Sequence, residues 1–285
     1  MRFLFLGLLL LAGCSSGPIS QPRYFLGEPY QEGGLWSYPR EDFALVEAGI
    51  AAILPTRSGL TVNGEIHDAQ AMVAAHRTLQ LPAIVTVTNL DNGRSLRLRV
   101  HDRGPAMAGR VIAISPRAAT LLGAVGPFQA RVAVDGPASR QAIEGLAGQS
   151  APLPIQLAPV GRVERESLAP PPGARAVAAR AESTARVVAE SAPSVAREPE
   201  RLPEQVIQGA PNPGRVWLEA GRFFRRDLAQ VQAARIGGRA EPFGPPGRQQ
   251  QWRVRSGPFS SIALADSALA RALAQGQPDL RLAVE

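Results

Sequence analysis

The side chains able to move a proton or hold a metal are gathered in one stretch. All three histidines, His67, His76 and His101, fall between residues 44 and 136, together with the carboxylates Glu65, Asp68 and Asp102. Such a set invites metal coordination and general acid–base catalysis. The histidine spacing does not match a helical pair at i and i+4, so no metal ligand is assigned. The single cysteine, Cys14, lies far outside the stretch and leaves neither an internal disulfide nor a cysteine-based zinc site. Serine hydrolysis is disfavoured because residues 44–136 contain no Gly-x-Ser-x-Gly elbow. Acid–base work by the carboxyl groups is left open.

These residues need elements to position them. Residues 83–89 and 95–101 are β-branched or alternating runs around Asp91-Asn92-Gly93, which predicts a hairpin. Its second strand sets Leu96, Leu98 and Val100 against Arg97, Arg99 and His101, predicting one buried and one charged face. Residues 68–77, which carry His76, read as helix-like. Residues 110–114 read as a strand, Ser115-Pro116 as the cap of a helix ending near Gly123, and residues 128–134 as a closing strand. Many short strands with one or two helices predict a small β-barrel over 44–136. Asp102 ends a strand just before Arg103-Gly104-Pro105, a turn that would fix its direction. Arg103 beside it offers the blander reading of a structural ion pair.

The chain has 285 residues, room for two domains and a linker. It contains no lysine, so all 31 basic residues are arginine and the net charge is +7. That charge suits work near anionic surfaces outside the cytoplasm, and export disfavours nucleic acid as the partner. Arg2, a short apolar run and small residues make residues 1–13 a secretory signal rather than a spanning helix. Leu11-Ala12-Gly13-Cys14 resembles the bacterial lipobox, which implies a diacylglycerol and acyl chains such as palmitate on Cys14. Ser15 after it implies the periplasmic face of the outer membrane. Residues 14–43 then form an extended leader that packs on the first domain. Residues 137–213 lack aromatic residues and are rich in proline, which predicts a disordered linker. From residue 214 the order signals return: strands at 216–218, 251–255 and 280–284, a helix at 227–235, and an amphipathic helix at 261–274 with Leu264, Ala268, Leu269, Ala272 and Leu273 inward. The echo of Trp217…Gly221-Arg222-Phe223 in Trp252…Gly257-Pro258-Phe259 predicts a split β-α-β sandwich over 214–285.

Four strings carry a resemblance: Thr61-Val62-Asn63-Gly64-Glu65; Ala74-Ala75-His76-Arg77-Thr78-Leu79; Val87 through Ser95; and Val100-His101-Asp102-Arg103-Gly104-Pro105. In this order they resemble the rare lipoprotein A (RlpA) family over about residues 45–136. The resemblance implies a double-psi β-barrel and lytic transglycosylase activity on peptidoglycan strands stripped of stem peptides. Residues 214–285 resemble a SPOR domain, which implies binding of the same denuded glycan. The expected fold is thus a mainly β double-psi barrel plus a small α+β, RNP-like domain, joined by the linker.

The resemblance implies catalytic residues at Asp102, Glu65 and His76. Asp102 would be acid and then base, Glu65 would tune charge or orient substrate, and His76 would bond one of those carboxylates or a sugar hydroxyl. His67 and His101 have no counterpart in that set and are read as surface residues. Trp217, Phe223, Trp252, Arg253 and Phe259 are the expected glycan-binding residues. No cofactor is implied; the expected partners are glycan, the membrane and division-site proteins. The usual Ala-Ser-Trp-Tyr-Gly strand reads Ala51-Ala52-Ile53-Leu54-Pro55, Phe128 is the only aromatic residue within 44–136, and Glu219 stands where the SPOR strand carries Gln. These departures support the alternative of a catalytically weak or inactive wall-tethering lipoprotein.

Overall fold

The computed structural model describes residues 19–147, 201–247, 250–277 and 279–285. The signal segment, Cys14 and most of the expected linker lie outside them. Among the described residues no helix is long and apolar enough to cross a membrane.

The leader forms a hairpin, β1 (Tyr30–Glu32) and β2 (Leu35–Ser37). There follow β3 (Val46–Ile53), β4 (Val73–His76), β5 (Ala83–Asn89), β6 (Arg94–Asp102), β7 (Arg110–Ile114), α1 (Pro116–Leu121), β8 (Phe128–Val134) and α2 (Gly136–Ala147). β3 runs parallel to β7, β7 antiparallel to β4, β4 parallel to β6, and β6, β5, β8 and β3 pair antiparallel in turn. The six strands close on themselves, which removes the open edges of a sheet. Val85, Val87, Leu96, Leu98, Ile112 and Ile114 fill the interior at 0–1% exposure, each worth about 1.5–3 kcal/mol of burial. The hairpin at Asn92-Gly93 forms as its sequence predicts, with Gly93 at φ +78°. Ser115 caps α1 through its side chain.

The helix-like reading of 68–77 is corrected: residues 73–76 are strand β4, buried throughout. A short run of small apolar residues fits helix and buried strand equally, and pairing with β6 and β7 decides. The linker boundary also moves. Residues 137–147 belong to α2, where Ser139 Oγ accepts from the Ile84 N–H at 2.8 Å. Residues 201–213 run along the barrel, with Arg201 paired to Asp68 at 3.1 Å and β9 (Ile207–Gln208) paired with β6. Backbone pairing of this kind leaves no trace in a composition that lacks aromatic residues.

The C-terminal domain is β10 (Val216–Phe223), α3 (Arg226–Arg235), β11 (Arg239–Phe243), β12 (Gln251–Phe259), α4 (Ile262–Ala274) and β13 (Leu280–Val284). Its antiparallel sheet has the order β11-β12-β10-β13. β11 is the strand the sequence reading lacks; Pro242 within it disguises an edge strand. In α4, Ala265, Ala268, Leu269 and Ala272 face the sheet, while Leu264, expected inward, is 52% exposed. The two domains touch: Ala283 of β13 bridges Gly49 of β3, and Leu269 and Leu282 share a core with Leu35 and Ile50. Arg110, buried on β7, is gripped by Asp266 of α4 through two bonds of 2.7 and 2.8 Å.

Candidate active site

Asp102 sits where the barrel is irregular. In the β4–β6 pairing Val100 faces Ala74 and Asp102 faces Ala75, so His101 is an extra residue on β6. A bulge of this kind bends the strand and re-aims its side chains, a device common beside active sites. Asp102 Oδ1 accepts from the backbone N–H of Val62 and of Arg103, each at 3.0 Å. Oδ2 is paired with Arg57, from the loop after β3. The Arg103 side chain turns away and donates to the carbonyls of Leu26, His76 and Leu79, so the simple Asp102–Arg103 ion pair does not form.

Glu65 is held by a tight turn. Thr61 N–H donates to the Glu65 carbonyl at 2.8 Å, and Asn63 Nδ2 donates to Glu65 Oε1 at 2.7 Å. Gly64 lies at φ +83° against the Gln21 carbonyl, where a Cβ would collide, so the leader's own backbone demands glycine there. Across the site Arg99 donates to both Glu65 oxygens, at 2.7 Å from Nη2 and at 3.0 and 3.2 Å from Nε. His101 Nδ1 lies 3.3 Å from Oε2. Burial alone would push the Glu65 carboxyl up; hydrogen bonds from His101 and Arg99 and the Arg99 charge outweigh it and hold it at about 2. Glu65 and Asp102 do not bond to each other: one is anchored against the outer face of β6, the other is clamped at the bulge. Glu65, Arg99 and His101 border a cavity of about 60 Å³ that Ser20 and Leu202 help to close.

The reading of His67 and His101 as surface residues is corrected. They are 5% and 1% exposed, with rings 5.8 Å apart. Alternation along β6 predicts an exposed charged face, but the turn carrying Glu65 covers its C-terminal half, so Arg97 is exposed while Arg99 and His101 are buried. Burial, with the Arg57 and His101 charges, lowers the His67 pKa. Both His67 ring nitrogens and His101 Nε2 lack a hydrogen-bond partner among the described residues. His76 is also buried, but its partner is Glu47 on β3, at 2.9 Å from Nε2, rather than Glu65 or Asp102. Its Nδ1 accepts from the N–H groups of Thr78 and Leu79, at 3.2 and 3.1 Å, which puts the ring proton on Nε2. Among the described residues no three His, Cys, Asp or Glu side chains converge to hold a metal ion.

Residues 46–134 match the family described as lytic transglycolase, and residues 212–280 match the SPOR domain family. A Pseudomonas aeruginosa (strain UCBPP-PA14) protein named endolytic peptidoglycan transglycosylase RlpA is 36% identical over 242 residues, 82% of this chain and 69% of the relative. The chain belongs to the RlpA family. A protein of the same name from strain PAO1 is 34% identical over 252 residues, with the same two coverages, and one from Escherichia coli K12 is 30% identical over 299 residues, 88% of this chain and 82% of the relative. The closed barrel is accordingly the double-psi barrel of RlpA proteins, and the C-terminal α+β unit is their SPOR domain.

Relative to the RlpA pattern, the barrel's one aromatic side chain, Phe128, is a core residue at 4% exposure. Exposed rings come from the leader instead: Trp36 and Tyr38 stack at 6.4 Å, 54% and 58% exposed. The turn before them brings Gly33 against the carbonyl of Ala106, in the loop after Asp102. In the SPOR domain the expected glycan-binding residues divide. Phe223, Trp252 and Phe259 pack against the core on the helix side, with Arg226 of α3 over the Trp252 ring. Arg253 lies on the other face, where Arg255 covers Trp217 at 3.9 Å and Arg222 and Arg253 cover Phe243. Glu219 is buried there, clamped by Arg281 and Arg253, while Glu285 engages both Arg253 and Arg255. The sequence reading missed Arg57 and Arg99, whose partners lie 45 and 34 residues away.

Proposed function

We propose that this chain cleaves stem-free peptidoglycan strands by lytic transglycosylation, from a lipid anchor on Cys14 in the outer membrane, with its SPOR domain holding it to denuded glycan at the division site. The observation that carries the chemistry is the Asp102 carboxyl, with one oxygen fixed by two backbone donors and the other turned to Arg57. A glycosidic bond breaks when a proton reaches the leaving oxygen as the C1–O bond lengthens. Protonated Oδ2 supplies it, and the leaving sugar departs with that proton as its hydroxyl. The C6 hydroxyl of the remaining sugar attacks the oxocarbenium-like C1, its proton returns to Oδ2, and the 1,6-anhydro ring closes. No water is consumed, so one carboxyl suffices.

Glu65 cannot serve as the acid at neutral pH, since its pKa of about 2 keeps it ionised. Its role is to anchor Arg99 and His101 on the strand that carries Asp102. His76 is a positioning residue as well: it holds the turn at Thr78 and Leu79, and the Leu79 carbonyl receives Arg103. The test is product analysis of amidase-stripped strands treated with the purified chain. Fragments ending in 1,6-anhydromuramic acid are expected; reducing ends would instead indicate hydrolysis, and intact strands a tether. For the anchor, Cys14→Ala is expected to leave the protein soluble in the periplasm, and recovery of the variant in the outer-membrane fraction would refute lipidation.

A further inference from the structure

Asp102, the proposed acid, is held by a cation that a bound strand can attract. Arg57 is its only side-chain partner among the described residues, and the Arg57 side chain is 37% exposed while that of Asp102 is 10% exposed. Among the described residues the Arg57 guanidinium makes one further hydrogen bond, a long one of 3.5 Å to the Leu60 carbonyl. Oδ1 does not need it, because Val62 and Arg103 N–H groups already fix that oxygen. A glycan with intact stem peptides and a stripped one differ at one group near the scissile bond. In the first, the lactyl group on C3 of the muramic acid ring is an amide; in the second it is a free carboxylate, on the same ring whose C1–O bond breaks.

We infer that Arg57 reads this lactyl carboxylate and exchanges partners when a stripped strand binds. The inference rests on the transglycosylase reading above. Guanidinium pairs bidentately with a carboxylate, while a neutral amide offers it a single uncharged acceptor. With the lactyl group in place Arg57 leaves Asp102 Oδ2, which takes up the proton it must deliver. An amide-linked stem leaves Arg57 on Asp102 and the acid stays occupied. One arginine thus couples recognition of the stripped state to release of the proton donor. The same logic extends to the surface, because a stripped strand is a polyanion with one carboxylate per disaccharide and this chain carries +7.

The test uses the full chain and two substrates: amidase-stripped strands, and the same strands with lactyl carboxyls converted to methylamides. Wild type is expected to lose roughly 10- to 100-fold in kcat/KM on the methylamide, the range for a hydrogen bond between charged groups. Arg57→Gln should cut turnover of the free-acid strand and raise turnover of the methylamide, because Asp102 is no longer held. Rates that cross in this way cannot arise from poor folding, which lowers both. Arg57→Lys should keep part of the preference for the acid. Equal wild-type rates on the two strands, or Arg57→Gln changing both by the same factor, would overturn the inference alone. Absence of anhydro product from both strands would overturn the transglycosylase reading and this inference with it.

Discussion

Asp102→Asn should lower the yield of anhydro-ended fragments from stripped strands by about 10²- to 10⁴-fold, the usual contribution of a positioned general acid. An asparagine oxygen still accepts the Val62 and Arg103 N–H bonds that fix Oδ1, so the turn and the bulge keep their geometry. What it lacks is a proton to give. SPOR-dependent binding to the same strands should match wild type and thermal unfolding should shift only slightly, by loss of the half-exposed Arg57 pair, which separates chemistry from folding and from targeting. If the variant keeps its activity, Asp102 is not the acid and the assignment falls. If wild type itself makes no anhydro product, the absence of an exposed aromatic side chain on the barrel becomes decisive and the tethering role stands.

The parts of this fold that show in the sequence are those whose cause is local. The β5–β6 hairpin follows from alternation and Asn92-Gly93, α1 from Ser115-Pro116, and the inward stripe of α4 largely from its period. The parts that do not show depend on a partner far along the chain. Arg97 and Arg99 are equivalent by alternation, and only the turn at Glu65, 34 residues before Arg99, buries one of them. His101 is buried beside Arg99 for the same reason. His76 finds Glu47, 29 residues earlier, because β3 and β4 both flank β7. Residues 201–213 look featureless by composition, yet β9 needs only backbone groups to pair with β6.

The same distinction orders the candidate site. The identity of Glu65, His76 and Asp102 as the residues of interest is carried by short strings, but their relation is not. They do not form a triad: Asp102 is clamped by a loop arginine, Glu65 by a strand arginine, and His76 by a glutamate of a third strand. Glu65 is held ionised by its buried partners, and His76 is held in place by Glu47. Only Asp102 pairs with a side chain as exposed as Arg57, which is the physical ground for giving it the mobile proton.

Loss of the Arg99–Glu65 pair should be the largest change in stability. Both residues are buried, at 8% and 5% exposure, so Arg99→Met leaves the Glu65 carboxylate buried between its turn and the barrel wall with only Asn63 and His101 to meet it. Breaking a buried pair from one side costs about 3–5 kcal/mol, because the remaining charge is uncompensated. The pH dependence identifies the cause. In the folded chain Glu65 titrates at about 2 against an ordinary 4.5, so its ionised form stabilises the fold above pH 4.5 and that stabilisation drains away as pH falls toward 2. Its size is roughly 3 kcal/mol, from the difference between the two values. The His101 hydrogen bond also lowers that pKa and stays in Arg99→Met, but the Arg99 hydrogen bonds and charge are lost, so much of the depression goes with them. The stability gap between wild type and variant, measured by urea unfolding, should be widest near pH 7 and shrink by pH 3. Taking the difference cancels groups that titrate alike in both proteins, Glu47 among them. A gap of equal size at pH 7 and pH 3 would mean that Arg99 stabilises through the packing of its stem and not through its charge.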